Sequence, residues 1–205
     1  MSEPATIQTL KLLGGSPCLD FANTADWDGL QPLDDCLTNY RDLLQWSQRS
    51  LNLSESSAHQ LEALATGEPQ AAIAVFDRAI WLRSGIYRLL VAIADGQSHS
   101  PEDLQLLNQE LALALPHLQI QSTPTGFVLD WMTTVALDSV LWAIAWSTAQ
   151  LLSQPQQRDR LRVCPGERCG WLFLDTTRNR SRRWCDMQVC GNRAKAHRHY
   201  HKKTK

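Results

Sequence analysis

Four of the six cysteines in the 205-residue chain, Cys164, Cys169, Cys185 and Cys190, form two matching C-x4-C pairs with fifteen residues between the pairs. Thiolates at the two ends of a short turn converge on one point, and two such turns complete the tetrahedral sulfur shell that Zn2+ prefers. In the first turn Pro165 presets the backbone, while Gly166 and Gly170 are free to take positive φ and aim N–H groups at sulfur. The expectation is one structural zinc ion held by all four cysteines. Four unrelated thiols, or two disulfides, are the competing reading. Disulfides suit an exported module, and the Met-Ser-Glu-Pro start has neither a basic nor an apolar leader region. A catalytic zinc needs an open coordination position, and four cysteines leave none. His197, His199 and His201 sit in a basic tail and read as solvated or phosphate-contacting. Cys18 and Cys36 are too isolated to be ligands and read as buried or idle thiols ahead of a redox sensor.

Charge divides the chain at about the same place. From Arg158 onward fourteen Lys/Arg stand against four Asp/Glu, a balance of +10, whereas residues 1–157 hold six against seventeen, a balance of −11. A basic module joined to an acidic one has polyanions as its natural partners, because each neutralised phosphate releases condensed counterions. Arg178, Arg180, Arg182 and Arg183 are expected at the tip and return strand of a hairpin between the cysteine pairs. Arg193, Lys195, Arg198, Lys202 and Lys203 fall on a C-terminal helix starting near Cys190, its N-terminal dipole against the thiolates, with Lys195, Arg198 and Lys202 on one face. Asn192, near the head of that helix, is placed to meet a base edge. DNA is the expected partner. RNA is the alternative, with Trp171, Phe173, Trp184 and Tyr200 stacking on unpaired bases if exposed. A blander reading docks the +10 and −11 halves on each other and hides the basic surface.

The elements that must position these residues are mostly helical. Asp34 or Asp35 caps a helix to about Arg49, Ser54 opens one to about Ala65, and Pro69 begins a long helix to about Ala94 with Ile73, Phe76, Ile80, Leu82, Tyr87, Leu90 and Ile93 on a buried stripe. Ser100 and Pro101 start another, ending near Leu115. Alternation predicts a hairpin of 117–121 with 127–131, then a central helix from about Met132 to Leu152, with 153–157 as linker. The segment 161–205 has few large apolar residues, so metal binding, worth roughly 10–16 kcal/mol in small zinc peptides, is expected to supply folding free energy. Trp81, Trp142 and Trp146 read as core, with cavity lining as the alternative. Asp20, Asn23, Thr24 and Asp26 form a denser polar cluster than a core entry requires, which is either the corner of a ligand pocket or helix capping. No Gly-rich phosphate loop or nucleophile elbow is present, so catalysis is not expected. With no apolar run of eighteen residues, a cytoplasmic, non-membrane protein is expected. No heptad or self-complementary stripe announces a dimer.

The cysteine segment resembles the CGNR zinc-finger family, named for the tetrapeptide found here as Cys190-Gly191-Asn192-Arg193. Cys164-Pro165, Cys169-Gly170, Phe173-Leu174-Asp175, Arg178-Asn179, 181–185 and Lys195-Ala196 follow the family pattern in order. Upstream, Leu19-Asp20-Phe21 with Asn23-Thr24 resembles the opening motif of the ABATE domain that accompanies this finger. The resemblance implies a mainly α chain: a helical, ligand-binding ABATE-like domain with a small β element over 1–157, and a treble-clef-like, DNA-binding zinc finger over 158–205. It implies a stress-responsive transcription regulator, with Asn192 and Arg193 either buttressing the zinc knuckle or touching nucleic acid, and Asp20, Asn23 and Thr24 in the ligand pocket. A ligand would then alter docking between the halves and expose or mask the arginines.

Overall fold

Proline and side-chain caps fix where the helices begin in the computed structural model, which describes residues 6–132 and 134–203. Pro17 starts the short α1 (Pro17–Ala22), and the chain then runs through a ribbon of β1 (Ala25–Asp28) and β2 (Gln31–Asp35). Asn39 accepts from the Asp42 N–H at the head of α2 (Tyr40–Ser50), and Ser54 does the same for Ser57 in α3 (Glu55–Gly67). The long α4 (Pro69–Ala94) and α5 (Pro101–Ala114), capped by Ser100, follow. A second ribbon, β3 (Leu118–Thr123) with β4 (Gly126–Trp131), leads to α6 (Ser139–Ser153) and the single turn α7 (Pro155–Arg158). The third ribbon, β5 (Leu161–Val163) with β6 (Leu172–Leu174), precedes a π turn (Met187–Gly191) and α8 (Asn192–Lys203). The result is the mainly helical fold expected, with three antiparallel ribbons among the described residues in place of a single small hairpin.

Several boundaries differ from the sequence reading, each for a local reason. Asp34 and Asp35 do not cap α2, because both lie in the extended β2, and the Asp35 carboxylate is held by Arg83. The 25–35 stretch pairs as a ribbon around Gly29, whose φ of +59° closes the turn. Helix α6 begins at Ser139 and not near Met132, since Trp131 is still in register with Leu118 and the Met132 N–H bonds the His117 carbonyl. No free linker spans 153–157: α6 closes directly into α7, and the Asp175 N–H bonds the Arg160 carbonyl just beyond. The return from 178–183 is irregular, with no strand.

One apolar cluster runs through the whole body. It joins Leu19 and Phe21 of α1, Leu43 and Trp46 of α2, Leu82, Ile86 and Leu90 of α4, and Ile144 of α6 to Leu161, Leu172 and Leu174 of the third ribbon. The two-residue period of a strand divides β6 between two cores: Leu172 and Leu174 face the helices, while Phe173 faces the four cysteines. On α4 the predicted stripe is too wide, as Ile73 is 53% exposed, and Trp81, expected as core or cavity lining, is 69% exposed and is neither. Among the described residues no helix is long and apolar enough to cross a membrane.

The residue that most organises the front of the body was not anticipated from sequence. Arg83, in the middle of α4, is fully buried; its Nη1 donates to Thr24 Oγ1 at 2.9 Å and Asp35 Oδ1 at 2.7 Å, and its Nη2 donates to Asp35 Oδ2. A bidentate fork of this kind fixes the mutual orientation of α4, β2 and the end of α1. Arg83 also lies over the Trp27 ring, 6.0 Å from its centroid.

Candidate metal centre and basic surface

The ribbon β5–β6 and the π turn bring the two cysteine pairs together. Cys164 and Cys169 flank the loop between the strands, and Cys185 and Cys190 bracket the approach to α8. All four sulfurs lie within 4.8 Å of one another, with Cys169–Cys185 at 3.6 Å and Cys185–Cys190 at 3.7 Å. Those separations exceed the roughly 2.05 Å of a disulfide and match the roughly 3.8 Å edge of a tetrahedron with Zn–S bonds of about 2.3 Å. Contacts among the sulfurs, Cys164 first, hold the Cys169 and Cys185 thiols above their ordinary range, while contact with Cys169 first holds Cys164 below it. Four negative charges at such separations repel one another, and a bound cation offsets that repulsion. Gly166 makes the approach feasible, because a Cβ there would stand 3.0 Å from Cys190 Sγ. The donor set fits one structural Zn2+ with no ligand position left for catalysis.

This centre is fastened to the helical body by specific polar contacts. Asn23 at the end of α1 donates its side-chain N–H to the Leu172 carbonyl and accepts the Leu172 N–H, both at 2.8 Å and buried. The Leu174 N–H bonds the Gly14 carbonyl at 2.9 Å, and Arg182 donates to the Leu174 carbonyl. The outer edge of β6 is thereby covered, which satisfies a strand that would otherwise expose unpaired groups. At the knuckle, the Trp27 N–H bonds the Cys169 carbonyl at 3.0 Å and the Tyr87 hydroxyl donates to the Gly170 carbonyl at 2.9 Å. Trp27 and Tyr87 stack with centroids 3.7 Å apart. Gly170 has φ +63°, and a Cβ there would lie 2.7 Å from Tyr87 Oη and 2.8 Å from Trp27 Cβ. Two described ion pairs cross between the halves, Lys11–Asp186 at 2.7 Å and the loose Arg168–Asp34 at 3.9 Å. The acidic and basic halves do dock, then, but mainly through packing and hydrogen bonds to backbone groups, with only two described ion pairs, which leaves Arg178, Arg180, Arg183, Arg193 and Lys195 exposed.

The predicted nucleic-acid residues separate into two groups. Arg182 is used inside the module: it donates to the Leu13, Leu174, Trp184 and Cys185 carbonyls and its guanidinium lies 4.4 Å from the Phe173 ring centroid. Its own N–H and the Thr177 hydroxyl bond Asp175, whose carboxyl is held below the usual range chiefly by that hydroxyl. Arg178, Arg180 and Arg183 are exposed on the surrounding loop, and Asn192, Arg193 and Lys195 are exposed on the first turn of α8. Arg183, Arg193 and His197 line a cleft of about 360 Å³ with Pro165, Glu167 and Trp184, beside Cys190. The side chains of Arg198, Lys202 and Lys203 lie outside the described residues. Of the aromatics proposed to stack on bases, Phe173 is fully buried and Trp171 and Trp184 pack against the metal core, while Tyr200 is exposed.

The polar cluster near α1 is mainly architectural. Thr24 donates to the Phe21 carbonyl and accepts from Arg83, Asn23 holds Leu172, and Asp20 accepts the Gly14 N–H at 2.8 Å. Burial pushes the Asp20 carboxyl up to about 6. Asp26, raised by burial and eased by the Trp171 side chain, lines a cleft of about 210 Å³ between the N-terminal segment and the metal centre, with Lys11, Arg168 and Arg193. A larger groove lies elsewhere. One cavity of about 320 Å³ between α2, α3, β4 and α6 is lined by Ser47, Leu51, Trp131 and Trp142, and one of about 470 Å³ beside it shares Leu51 and Trp131 and reaches Ser16 and Trp146. Trp142 is 2% exposed and stacked on His117, and its indole N–H has no partner among the described residues.

Comparison with known families agrees with this division. A model described as "CGNR zinc finger" matches residues 160–203, and the ABATE model, described as "Putative stress-induced transcription regulator", matches residues 15–155. No curated protein matches the chain. Since the longer match spans more than half of the sequence and the shorter one contains all four metal-binding cysteines, the chain belongs to the ABATE family and carries a CGNR zinc finger at its C-terminal end.

Proposed function

We propose that the zinc finger binds DNA and that the helical domain senses a small molecule, so that one cytoplasmic chain acts as a transcription regulator by binding and without catalysis. The observation that carries the DNA part is the division among the arginines. Arg182 builds the module, while Arg178, Arg180, Arg183, Arg193 and Lys195 are exposed, and Arg183 and Arg193 line the cleft beside Cys190. A zinc-ordered loop and helix head bearing five exposed cations matches the spaced negative charge of a phosphate backbone. Burial of Phe173 and half-burial of Trp171 and Trp184 favour duplex over base-stacked single strands, because the aromatics serve the metal core.

The sensing part attaches to the groove along α6 rather than to the Asn23–Thr24 cluster. The larger cavity is walled by Ser16 and Pro17, and Gly14 two residues earlier holds the Leu174 N–H of the finger. The Ser147 hydroxyl accepts the Cys18 N–H at 3.2 Å. A ligand that shifts α6 against α1 therefore acts on the seat of β6, by an amount limited to its differential affinity for the two arrangements.

Salt-titrated binding tests the DNA part, using zinc-loaded protein against duplex DNA, single strands and structured RNA. The triple variant Arg178→Ala/Arg180→Ala/Arg183→Ala is expected to lower the slope of log K against log salt by about 2 to 3 on duplex. Unchanged slope and affinity in a variant that retains its zinc would refute the assignment. Preference for single strands or RNA would move the function to RNA binding. For the sensing part, binding of metabolite-library compounds would be followed by Trp fluorescence, with Trp142→Phe and Ala143→Trp as groove variants. Compounds that bind both variants as they bind the wild type would exclude this groove.

A further inference from the structure

The ribbon β3–β4 has the side-chain pattern of a half-buried sheet, yet its apolar half is uncovered. Residues directly opposite each other share a face, and the register pairs Leu118 with Trp131, Ile120 with Leu129 and Ser122 with Phe127. Those six form one face, five of them apolar. Gln119, Gln121 and Thr123 with Asp130 and Val128 form the other. Among the described residues the apolar face is covered at its base, where Trp131 packs on Trp142 with centroids 6.1 Å apart. Further out, Ile120 is 70% exposed, Leu129 59% and Phe127 79%; on the polar face Gln121 and Thr123 are half-buried, while Gln119, Val128 and Asp130 are exposed. The apolar side of the ribbon is thus open to solvent.

An isolated two-stranded ribbon is marginal in water, and it becomes stable when its apolar face is packed. Together the six residues of this face present on the order of 600 Å², similar to the roughly 800 Å² that one partner contributes to a standard interface and at the top of the range for patches on monomers. The face carries no charge, its only polar member being Ser122, so nothing on it selects a partner of opposite sign. Two copies of an uncharged ribbon face can pack on each other about a two-fold axis, each supplying the cover that the other lacks.

We propose that this face is the contact surface of a homodimer, in which Ile120, Phe127 and Leu129 of one chain pack against the same residues of a second copy. The inference is independent of what the finger binds. It places two fingers in one particle, related by a two-fold axis.

Sedimentation velocity of the full-length, zinc-loaded protein over roughly 1 to 100 µM, a range covered by interfaces of this area, tests the proposal. The wild type is expected to approach twice the chain mass. Phe127→Asp is expected to raise the dissociation constant at least about 30-fold, the loss seen when a central interface residue is truncated. Gln119→Asp on the polar face leaves the dimer intact. Far-ultraviolet circular dichroism and zinc content check that each variant is folded. A nitroxide at Ser122 should lose solvent access as concentration rises, and one at Gln119 should not. Monomeric wild-type protein throughout, a dimer that persists in folded Phe127→Asp, or a different protein or lipid found covering the face would each overturn the proposal.

Discussion

Substituting Asn23 by Ala tests how the finger is seated. The Asn23 amide donates to the Leu172 carbonyl and accepts the Leu172 N–H, both at 2.8 Å in a buried environment, and β5 does not bond either group. Removal leaves two buried backbone groups without partners, at about 1–3 kcal/mol each, part of which water entering the small void returns. The expected loss is about 2–4 kcal/mol in urea unfolding of the zinc-loaded protein followed by tryptophan fluorescence. Because the ribbon carries the first cysteine pair, loosening its seat should also accelerate zinc transfer to a competing chelator. Asn23→Asp is the sharper variant: it keeps an acceptor for the Leu172 N–H but sets a carboxylate oxygen against the Leu172 carbonyl, so it should cost at least as much as Ala. A change within about 0.5 kcal/mol for both variants, the level of a neutral surface substitution, would refute the claim that this amide holds the two parts together.

Three further expectations follow from the buried charges and the metal. Asp20 is raised from 3.8 to about 6 by burial, so the folded state binds its proton more tightly than the unfolded chain, and stability falls as pH rises between those values. Asp20→Asn keeps the acceptor for Gly14 and should stabilise by about 1–3 kcal/mol above pH 7, with the gain vanishing below about pH 4; a gain independent of pH in paired thermal melts would contradict this. Arg83→Met leaves Asp35 and Thr24 without their donor and should cost about 2–4 kcal/mol in urea, with Arg83→Lys recovering less than half because an ammonium cannot make the fork. Zinc removal should strip hydrogen-exchange protection from the Cys169 and Arg182 amides while those of Leu172 and Leu174, bonded to Asn23 and Gly14, stay protected; equal loss at all four would show that the ribbon depends on metal alone.

What could be read from the residues depended on the range of the interaction. The cysteine pairs carry their geometry in their spacing, and Ser54, Ser100, Pro69 and Pro101 mark helix starts by bonding or shaping their own neighbours. Contacts between distant segments left no such mark. Asp35 looked like a cap because its partner, Arg83, is 48 residues away. Arg182 looked like one more surface cation in an arginine-rich loop, and only the closed module shows four carbonyls converging on it. Asn23 and Thr24 were recognisable as unusual but not as a fastening, since Leu172 is 149 residues from Asn23. In the β3–β4 ribbon, alternation identified the strands but could not say which face the body would leave uncovered.

The split allegiance of β6 has a consequence for how this architecture can be inherited. A metal-binding module whose middle residue serves its own ion, but whose flanking leucines and outer edge serve a neighbouring bundle, is no portable cassette. Cut loose, it would carry an apolar ribbon and unpaired strand groups into water, an invitation to aggregate. Recombination that moves the cysteines without the α1 hook and the Trp27–Tyr87 bracket would therefore be selected against, and the two segments should descend together.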